Sequence, residues 1–254
     1  MQSIRVVVAG ATGKVGREMV RAVVREPGFT LVGAVAAEAE GRDIGEVLGL
    51  EGGRVGVPIA PSLEDVLKSG VEADVLIDFT VAAAARKTIP TAVAAGIAPV
   101  VGTTGLAPEE IRQFAEACRE KGIGGAFIAN FSVGMMLLMR FAEEARRFFP
   151  HVEIIELHHH TKLDAPSGTA LRTRERLERV AGDLKAPPVP IHSVRLPGLV
   201  AHQEVIFGGP GQTLTLRHDA PSREAYVPGV LMACKWVLRE KRVAFDLEEI
   251  AFSQ

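Results

Sequence analysis

The residues with the clearest chemical potential lie together near the middle of the chain, in the segment EIIELHHHTKLDAPSGTA, residues 153–170. Alternate side chains of a strand share a face, so His158 and His160 should point one way, with Lys162 behind them if the strand continues, and His159 the other way. A histidine and a lysine close together lower each other's pKa, so each can supply a proton near neutral pH. Reduction of a C=N bond needs such an acid, because hydride adds to carbon and a proton to the neighbouring atom.

A short turn just downstream predicts an anion-binding site. Pro166 and Ser167 start a helix, so the backbone N–H groups of Gly168 and Thr169 are expected to be free. Free amides at the positive end of a helix suit a carboxylate. An ordinary helix cap is the alternative, but the neighbouring histidine and lysine favour the anion site. The segment therefore predicts hydride transfer to a small carboxylated imine or carbonyl compound.

Two other interpretations of the histidine cluster stay open. Two histidines separated by one residue on a strand can hold one metal ion. However, no third group of ligands is spaced to complete the site, and Lys162 would repel a cation, so no metal is expected. The second alternative is a polar strand edge without a chemical role.

A second motif lies near the start of the chain. The apolar run Ile4–Ala9 leads into GATGKVG, residues 10–16, and a helix follows at once. Glycine allows a tight strand-to-helix turn, close approach of a pyrophosphate to backbone N–H groups, and close packing of helix on strand. The spacing differs from GxGxxG by one residue, and a plain glycine-rich turn is the alternative. The flanking strand and helix favour a dinucleotide site.

Other strand ends extend this predicted site. An acidic residue after the second strand would hold the ribose hydroxyls, and Glu38 is the candidate, with Glu40 in reserve and a solvated acidic loop as the alternative. Arg42 lies close by, so the preference between NADH and NADPH stays open. The sequence GTTG, residues 102–105, ends another strand and suits the ribose and carboxamide of a cofactor. Residues 78–80, Asp-Phe-Thr, end a strand in the same way.

The first half of the chain alternates buried strands with helices. The predicted strands are Ile4–Ala9, Leu31–Ala36, Val57–Ile59, Val75–Phe79, Ala98–Val101 and Gly125–Ala129. The predicted helices are Lys14–Arg25, Leu63–Lys68, one from Val81, and Pro108–Lys121. Continuous apolar strands joined by helices predict an α/β fold, a Rossmann-like doubly wound parallel sheet covered on both faces.

The pattern changes near Asn130, which is the predicted domain boundary. The predicted elements beyond it are a helix at Val133–Phe149, a strand at Val152–His160, a helix at Gly168–Ala181, a loop at 185–190, strands at Ile191–Leu196, Leu199–Phe207 and Gln212–Arg217, and helices at Ala225–Arg239 and near Leu247. Consecutive strands predict a smaller α+β domain with a mixed or antiparallel sheet. The glycine-rich stretch 41–56 is expected to be a loop.

Composition narrows the possible partners. The 254 residues carry 29 Lys and Arg against 31 Asp and Glu, a net charge of −2, and few aromatic residues, so no nucleic-acid partner is expected. The two cysteines, Cys118 and Cys234, fit a reducing compartment. Neither a signal peptide nor a membrane span is expected, which predicts a cytoplasmic protein.

Taken together, these motifs resemble the dihydrodipicolinate reductase family. The resemblance is carried by VAGATGKVGR, LIDFT, VVGTTG, ANFSVG and EIIELHHHTKLDAPSGTA, which lie between residues 6 and 170. It implies reduction of 4-hydroxy-tetrahydrodipicolinate by NADH or NADPH in diaminopimelate and lysine biosynthesis, with a small dicarboxylate as substrate. It also implies a homotetramer, a dinucleotide-binding domain of residues 1–130 with 221–254, and a substrate-binding and oligomerisation domain of residues 131–220.

The resemblance also implies roles for individual residues. His158 would donate and accept the proton and Lys162 would donate one, whereas His159, Gly168 and Thr169 would bind the substrate carboxylates. The residues implied to hold the cofactor are Gly10, Ala11, Thr12, Gly13, Lys14, Val15, Gly102, Thr103, Thr104, Ile128, Ala129, Asn130 and Phe131. The acidic ribose position of the family aligns with Ala37 or, after a one-residue slip, with Glu38. Val81 stands where arginine or histidine is frequent, and His160 is the basic residue after the histidine pair.

Two alternative functions stay open at this stage. A protein that binds a dinucleotide only to sense redox state would share the glycine loop but would have no need for His158 and Lys162 beside an anion site. A two-domain dehydrogenase acting on another small carbonyl compound would have the same domain architecture. Semialdehyde chemistry would need a thiolate nucleophile, and both cysteines lie in predicted helices rather than at strand ends.

Overall fold

The structure is a computed structural model that describes residues 3–181 and 186–253. Lys185, the first residue of the loop predicted at 185–190, lies outside the described residues. The chain divides into two compact units, one of Met1–Phe131 with Tyr226–Gln254 and the other of Ser132–Ala225.

The element boundaries follow the apolar runs and the helix caps of the sequence. The strands are β1 (Ile4–Ala9), β2 (Phe29–Val35), β3 (Ile59–Ala60), β4 (Val75–Asp78), β5 (Ala98–Val101), β6 (Gly125–Phe127), β7 (His151–His158), β8 (Ile191–Arg195), β9 (Ala201–Gly209), β10 (Gln212–Ala220) and β11 (Val243–Ala244). The helices are α1 (Gly16–Arg25), α2 (Ile44–Leu48), α3 (Leu63–Lys68), α4 (Ala82–Ala94), α5 (Pro108–Lys121), α6 (Val133–Arg146), α7 (Gly168–Ala181), α8 (Val227–Glu240) and α9 (Leu247–Ala251), with a 3-10 turn at Arg223–Tyr226.

The first unit is a doubly wound parallel sheet, as predicted. Within the described residues its strand order is β11-β6-β5-β4-β1-β2-β3, and each neighbouring pair is parallel. The order reverses direction between β1 and β4, and open α/β sheets bind ligands at that point, beyond the carboxyl ends of the strands. Strands β1, β4 and β5 are buried throughout or nearly so, which explains why their sequences are apolar apart from Arg5 in β1 and Asp78 at the end of β4.

The second unit carries a mixed sheet, which confirms the predicted α+β character. Its strand order is β10-β9-β7-β8, with β7 parallel to β8 and antiparallel to β9. Apolar side chains of α6 and α7 pack with one face of this sheet in a common core that includes Met135, Leu177 and Phe207. Strand β10 lies at one edge of this sheet, and most of its residues are exposed.

Several predicted boundaries were wrong. The strand predicted at Val152–His160 ends at His158, because a turn begins there, and the helix predicted to reach Phe149 ends at Arg146. The glycine-rich stretch 41–56 contains α2, and the Asp43 carboxylate caps this helix by accepting hydrogen bonds from Gly45 and Glu46. Short helices of this kind carry too little apolar periodicity to be recognised.

Candidate active site

The glycine loop after β1 has the geometry of an anion cradle. A side chain on Gly16 would put its Cβ 1.9 Å from the Gly10 carbonyl oxygen, so the helix can start this close to the strand only with glycine. The backbone N–H groups of Thr12, Lys14 and Val15 donate to no protein group in the part of the chain that the structure describes. Such amides beside a helix start can bind the phosphates of a dinucleotide.

Arg17 braces this loop from the first turn of α1. Its Nη2 donates to the Thr12 carbonyl oxygen at 2.9 Å and its Nε to the Gly13 carbonyl oxygen at 3.3 Å. Both carbonyls thereby receive a side-chain donor, and a positive charge is placed against the loop. Sequence reasoning missed this residue, although it ends the motif VAGATGKVGR.

Four loops pack on one another beyond the ends of β1, β4, β5 and β6. The Phe79 ring meets the Phe131 ring edge to face with centroids 5.9 Å apart. A Cβ on Gly102 would lie 2.1 Å from Phe79 Cε1, and a Cβ on Gly10 would lie 2.5 Å from the Phe79 carbonyl oxygen. Both glycines are therefore needed for the close packing of Phe79, which ties the β1, β5 and β6 loops together.

A buried carboxylate organises the GTTG turn. Asp78 is fully buried at the end of β4. Its Oδ1 accepts hydrogen bonds from the Thr103 hydroxyl at 2.6 Å, the Thr80 hydroxyl at 2.7 Å and the Thr80 N–H at 3.0 Å. The Thr103 hydroxyl, expected to face a cofactor, is thus engaged with Asp78, while Thr104 is exposed.

The other predicted cofactor residues also lie in the first unit. Glu38 is exposed just after β2. Residues 128–131 directly follow β6, with Ile128 and Phe131 buried and Ala129 exposed. The cofactor roles of these residues remain predictions, but the cradle and the open amides fit a dinucleotide.

In the second unit, β7 presents His158 beside a fully buried carboxylate. His158 Nδ1 lies 2.5 Å from Glu156 Oε2, and the His158 side chain is 14% exposed. Because an ionised carboxylate only accepts hydrogen bonds, Nδ1 is the donor, and Nε2 is left for another partner. Burial lowers the pKa of His158 below its ordinary value, against the opposing effect of Glu156.

Glu156 joins three elements around this histidine. Arg195 of β8 donates to both of its carboxylate oxygens, at 2.8 and 2.7 Å. The Ser193 hydroxyl donates at 2.5 Å, and the N–H of Ser167, just before α7, donates at 3.2 Å. Burial would raise the pKa of Glu156, but the hydrogen bonds from Arg195, Ser193 and His158 hold it below its usual value. The carboxylate therefore stays charged and fixes the imidazole in one orientation.

Sequence reasoning missed Glu156, Ser193 and Arg195. Glu156 shares a strand face with His158, so the spacing of two residues was an available signal. Ser193 and Arg195 lie far away in the chain. Only the parallel pairing of β7 with β8, which sets Glu156 opposite Ser193 and His158 opposite Arg195, reveals them.

A turn, rather than a continued strand, returns Lys162 toward the histidines. The Lys162 N–H donates to the His159 carbonyl oxygen at 3.1 Å, and Lys162 Nζ lies 2.6 Å from Asp164 Oδ1. His159 Nδ1 lies 2.7 Å from the Thr161 hydroxyl. The predicted alternation of side chains along one strand was therefore wrong beyond His158.

The start of α7 lies directly after this turn. Ser167 caps the helix, since its hydroxyl accepts the Ala170 N–H at 3.2 Å. Gly168 and Thr169 are the first two helical residues. The Asp164 carboxyl lies close by, and its pKa is lowered mainly by Lys162 and to a lesser extent by the Gly168 N–H. The proposed anion-binding role of these amides remains a prediction.

The two cysteines and the metal alternative concern other chemistry. Cys118 and Cys234 are buried, and burial raises the pKa of the Cys118 thiol to about 11 and that of Cys234 still further. Neither thiol is placed to act as a thiolate nucleophile. Over residues 3–181 and 186–253, no group of three or more His, Cys, Asp or Glu side chains is arranged to hold a metal ion.

The parallel sheet with its glycine cradle, next in the chain to a unit carrying a His–Glu pair and a lysine, defines a two-unit dinucleotide-binding protein of the oxidoreductase type. No helix among the described residues is both long and apolar enough to cross a membrane.

Comparison with known proteins identifies the family. Residues 4–131 match the N-terminal part of dihydrodipicolinate reductase and residues 134–250 match its C-terminal part, so the chain belongs to this family. It is 71% identical over 252 residues to the 4-hydroxy-tetrahydrodipicolinate reductase of Symbiobacterium thermophilum, covering 99% of each chain. It is 46% identical to the Thermosynechococcus vestitus enzyme of the same name, covering 97% of this chain and 96% of the other.

A solved structure agrees with this assignment. The dipicolinate-bound dihydrodipicolinate reductase from Paenisporosarcina sp. TG-14 superposes with a TM-score of 0.83 at 34% identity, covering 98% of this chain and all of the other. The resemblance inferred from the motifs is thereby confirmed.

Proposed function

We propose that this protein reduces 4-hydroxy-tetrahydrodipicolinate to tetrahydrodipicolinate with NADH or NADPH, a step of diaminopimelate and lysine biosynthesis in the cytoplasm. The observation that carries the proposal is the pairing of His158 with the buried Glu156, next in the chain to Lys162 and to the start of α7. A protein that only sensed dinucleotides would have no need for this arrangement. The family to which the chain belongs supports the same activity.

The first unit is proposed to hold the cofactor. The open amides of the Gly10–Val15 loop would bind the pyrophosphate, Glu38 the ribose, and residues 102–104 and 128–131 the nicotinamide end. When bound, the nicotinamide supplies a hydride.

The second unit is proposed to hold the substrate and supply the proton. The conversion replaces a hydroxyl with hydrogen, so a hydride and a proton enter and water leaves. With Nδ1 held by Glu156, a protonated His158 offers its Nε2 proton, and Lys162 offers a second acidic group. His159, Gly168 and Thr169 would bind the two carboxylates.

A turnover assay tests this proposal. Loss of nicotinamide absorbance is followed with NADH and with NADPH side by side, using the freshly formed product of the preceding synthase as substrate. Turnover with at least one cofactor is expected, and absence of turnover with both would refute the assignment. The same assay would establish which cofactor is preferred.

The roles of the two acids make a sharper prediction. H158A and K162A should each lower kcat about 10²-fold or more, since a positioned general acid contributes ~10²–10⁴. The Kd for NADH, measured by isothermal titration, should stay unchanged, because both side chains lie outside the unit that carries the glycine loop. Equal losses of kcat and NADH affinity would argue against the acid role.

We also propose a homotetramer, as the family resemblance implies. The edge strand β10 keeps Leu214 38% exposed, and Phe148 is 80% exposed. Both residues belong to the second unit, the one proposed to carry the oligomer contacts. Light scattering should give four times the 27.1 kDa chain mass, and a monomer would contradict the proposal.

A further inference from the structure

The Asp164 carboxylate occupies groups that the proposed function assigns to the substrate. Its Oδ1 lies 2.6 Å from Lys162 Nζ. The hydrogen bond from Lys162 is the main cause that lowers the pKa of this carboxyl, and the nearby Gly168 N–H at the start of α7 lowers it further. One is an ammonium group and the other an amide at a helix N-terminus. Both donors suit a carboxylate, and Asp164 presents a carboxylate to both of them.

We propose that Asp164 is an internal stand-in for a substrate carboxylate. In the free protein it neutralises Lys162 beside the Gly168 amide, and an incoming dicarboxylate takes its place there. The inference rests on the proposed function, since it assumes that Lys162 and Gly168 belong to the substrate site.

The exposure of Asp164 keeps the free-energy cost of this exchange small. The Asp164 side chain is 58% exposed, so its carboxylate can swing into water and be solvated again. Ion pairs this exposed hold their partners weakly. No burial of an unpaired charge is needed at any point, because one carboxylate replaces another on Lys162.

The backbone of the segment does not have to move. Arg195 Nη2 donates to the Asp164 carbonyl oxygen at 2.8 Å, and the same guanidinium is held by the buried Glu156. The main chain at Asp164 is thus tied to β8 while its side chain is free to rotate. An exchange confined to side-chain torsions leaves His158 and Ser167 in place on Glu156.

Asp164 therefore competes with the substrate rather than assisting it. Removing its negative charge while keeping its shape should strengthen binding of a dicarboxylate. The expected gain is about twofold to fivefold in Kd, the range spanned by exposed ion pairs. Because the competition ends once the ligand is bound, KM should fall while kcat changes by less than about twofold.

Isothermal titration with dipicolinate tests the inference, using the full chain loaded with cofactor. D164N removes the charge and keeps the shape, whereas D164S removes the carboxylate and keeps a short polar side chain. E153Q is the matched control: Glu153 is 59% exposed on the same sheet and pairs with His192 instead. Tighter binding by both Asp164 variants, with E153Q unchanged, is the expected result.

Two results would overturn the inference. One is unchanged or weaker dipicolinate binding by Asp164 variants whose thermal melting matches that of the unaltered protein. The other is a loss of kcat, which would mean that Asp164 positions Lys162 in the loaded enzyme. Absence of both dipicolinate binding and turnover in the unaltered protein would instead refute the proposed function. The two failures are therefore distinguishable.

Discussion

Glu156 shows how one buried side chain can control a reactive one. It is fully buried, yet each oxygen is satisfied by donors from β7, β8 or the turn before α7. A buried charge is tolerated only when it is paired and hydrogen-bonded in this way. The same bonds hold the His158 ring, so the acid–base role proposed for Nε2 would depend on a residue that is itself fully buried.

The variant E156Q tests this dependence. Loss of the carboxylate removes the influence that raises the pKa of His158, so its already lowered pKa should fall further. Since the protonated histidine is the proposed donor, the descending limb of kcat/KM against pH should move to lower pH. At neutral pH, kcat should drop about 10²-fold. The test is to measure kcat/KM against pH for the unaltered protein and for E156Q, with E153Q as the control. An unchanged descending limb in E156Q would contradict the dependence of His158 on Glu156.

The glycine loop illustrates the constraint on a strand–turn–helix unit. Gly16 Cα approaches the Gly10 carbonyl so closely that any side chain would displace the loop. G16A should therefore weaken NADH binding more than tenfold and lower Tm. G208A is the matched control, because a Cβ at Gly208 meets nothing within 4 Å. Titration calorimetry with NADH measures the two Kd values. Equally tight binding by G16A and G208A would contradict the prediction.

The glycine-rich stretch 41–56 is organised by a single carboxylate. Buried Asp43 accepts hydrogen bonds from Gly45 and Val55 on one oxygen and from Gly56 and Val57 on the other, at 2.8–3.1 Å. The glycines let the chain fold back around it. This stretch is therefore an ordered element built around a buried anion, although its composition resembles a loop.

Replacing this anion should destabilise the first unit. In D43N an amide group would face backbone N–H donors, which should cost at least ~2 kcal/mol in the free energy of unfolding. Although burial opposes it, the backbone hydrogen bonds lower the pKa of Asp43 below 3.8 in the folded state. Its stabilisation is therefore full above pH 3.8 and is lost as the pH falls through the folded-state pKa. Urea unfolding should show that the difference in stability between the unaltered protein and D43N narrows in acid. The control E51Q changes an exposed side chain of the same stretch and should leave stability almost unchanged.

The chain's two ends build one unit together. The last segment returns after the second unit, and β11 pairs with β6 while α8 packs against β5 and β6. Helix α8 buries Val230, Ala233 and Trp236. Neither the N-terminal 131 residues nor the C-terminal segment has a complete core alone.

A truncated chain ending at Ala225 should therefore lose the first unit. Without α8 and β11 the sheet exposes apolar side chains and the unpaired edge of β6. NADH binding should be abolished, and thermal melting should lose the transition of that unit. A chain ending at Ala251 keeps both elements and should bind NADH normally. Normal binding by the shorter chain would show that the first 131 residues fold unaided.

Local patterns were enough to predict the sheet class and the motifs on which the candidate site is proposed. The glycines of residues 10–16, the strand at Ala98–Val101 and the HHHTK segment are contiguous, and their chemistry depends on neighbours one to four residues away. Boundaries failed where a turn overrode periodicity, as after His158. The prediction of a loop at residues 41–56 was wrong because the hydrogen bonds that order this stretch join residues up to 14 positions apart.

The sequence alone determined the α/β class, the glycine cradle and the family, and it predicted the His–Lys chemistry, because each depends on residue types at short, fixed spacing. Tertiary structure alone decided that Glu156 is held by Arg195 across 39 residues and that Asp164 pairs with Lys162. The physical reason is that strand pairing and side-chain hydrogen bonds form between distant segments. Their partners are chosen by the packed sheet, which no local pattern records.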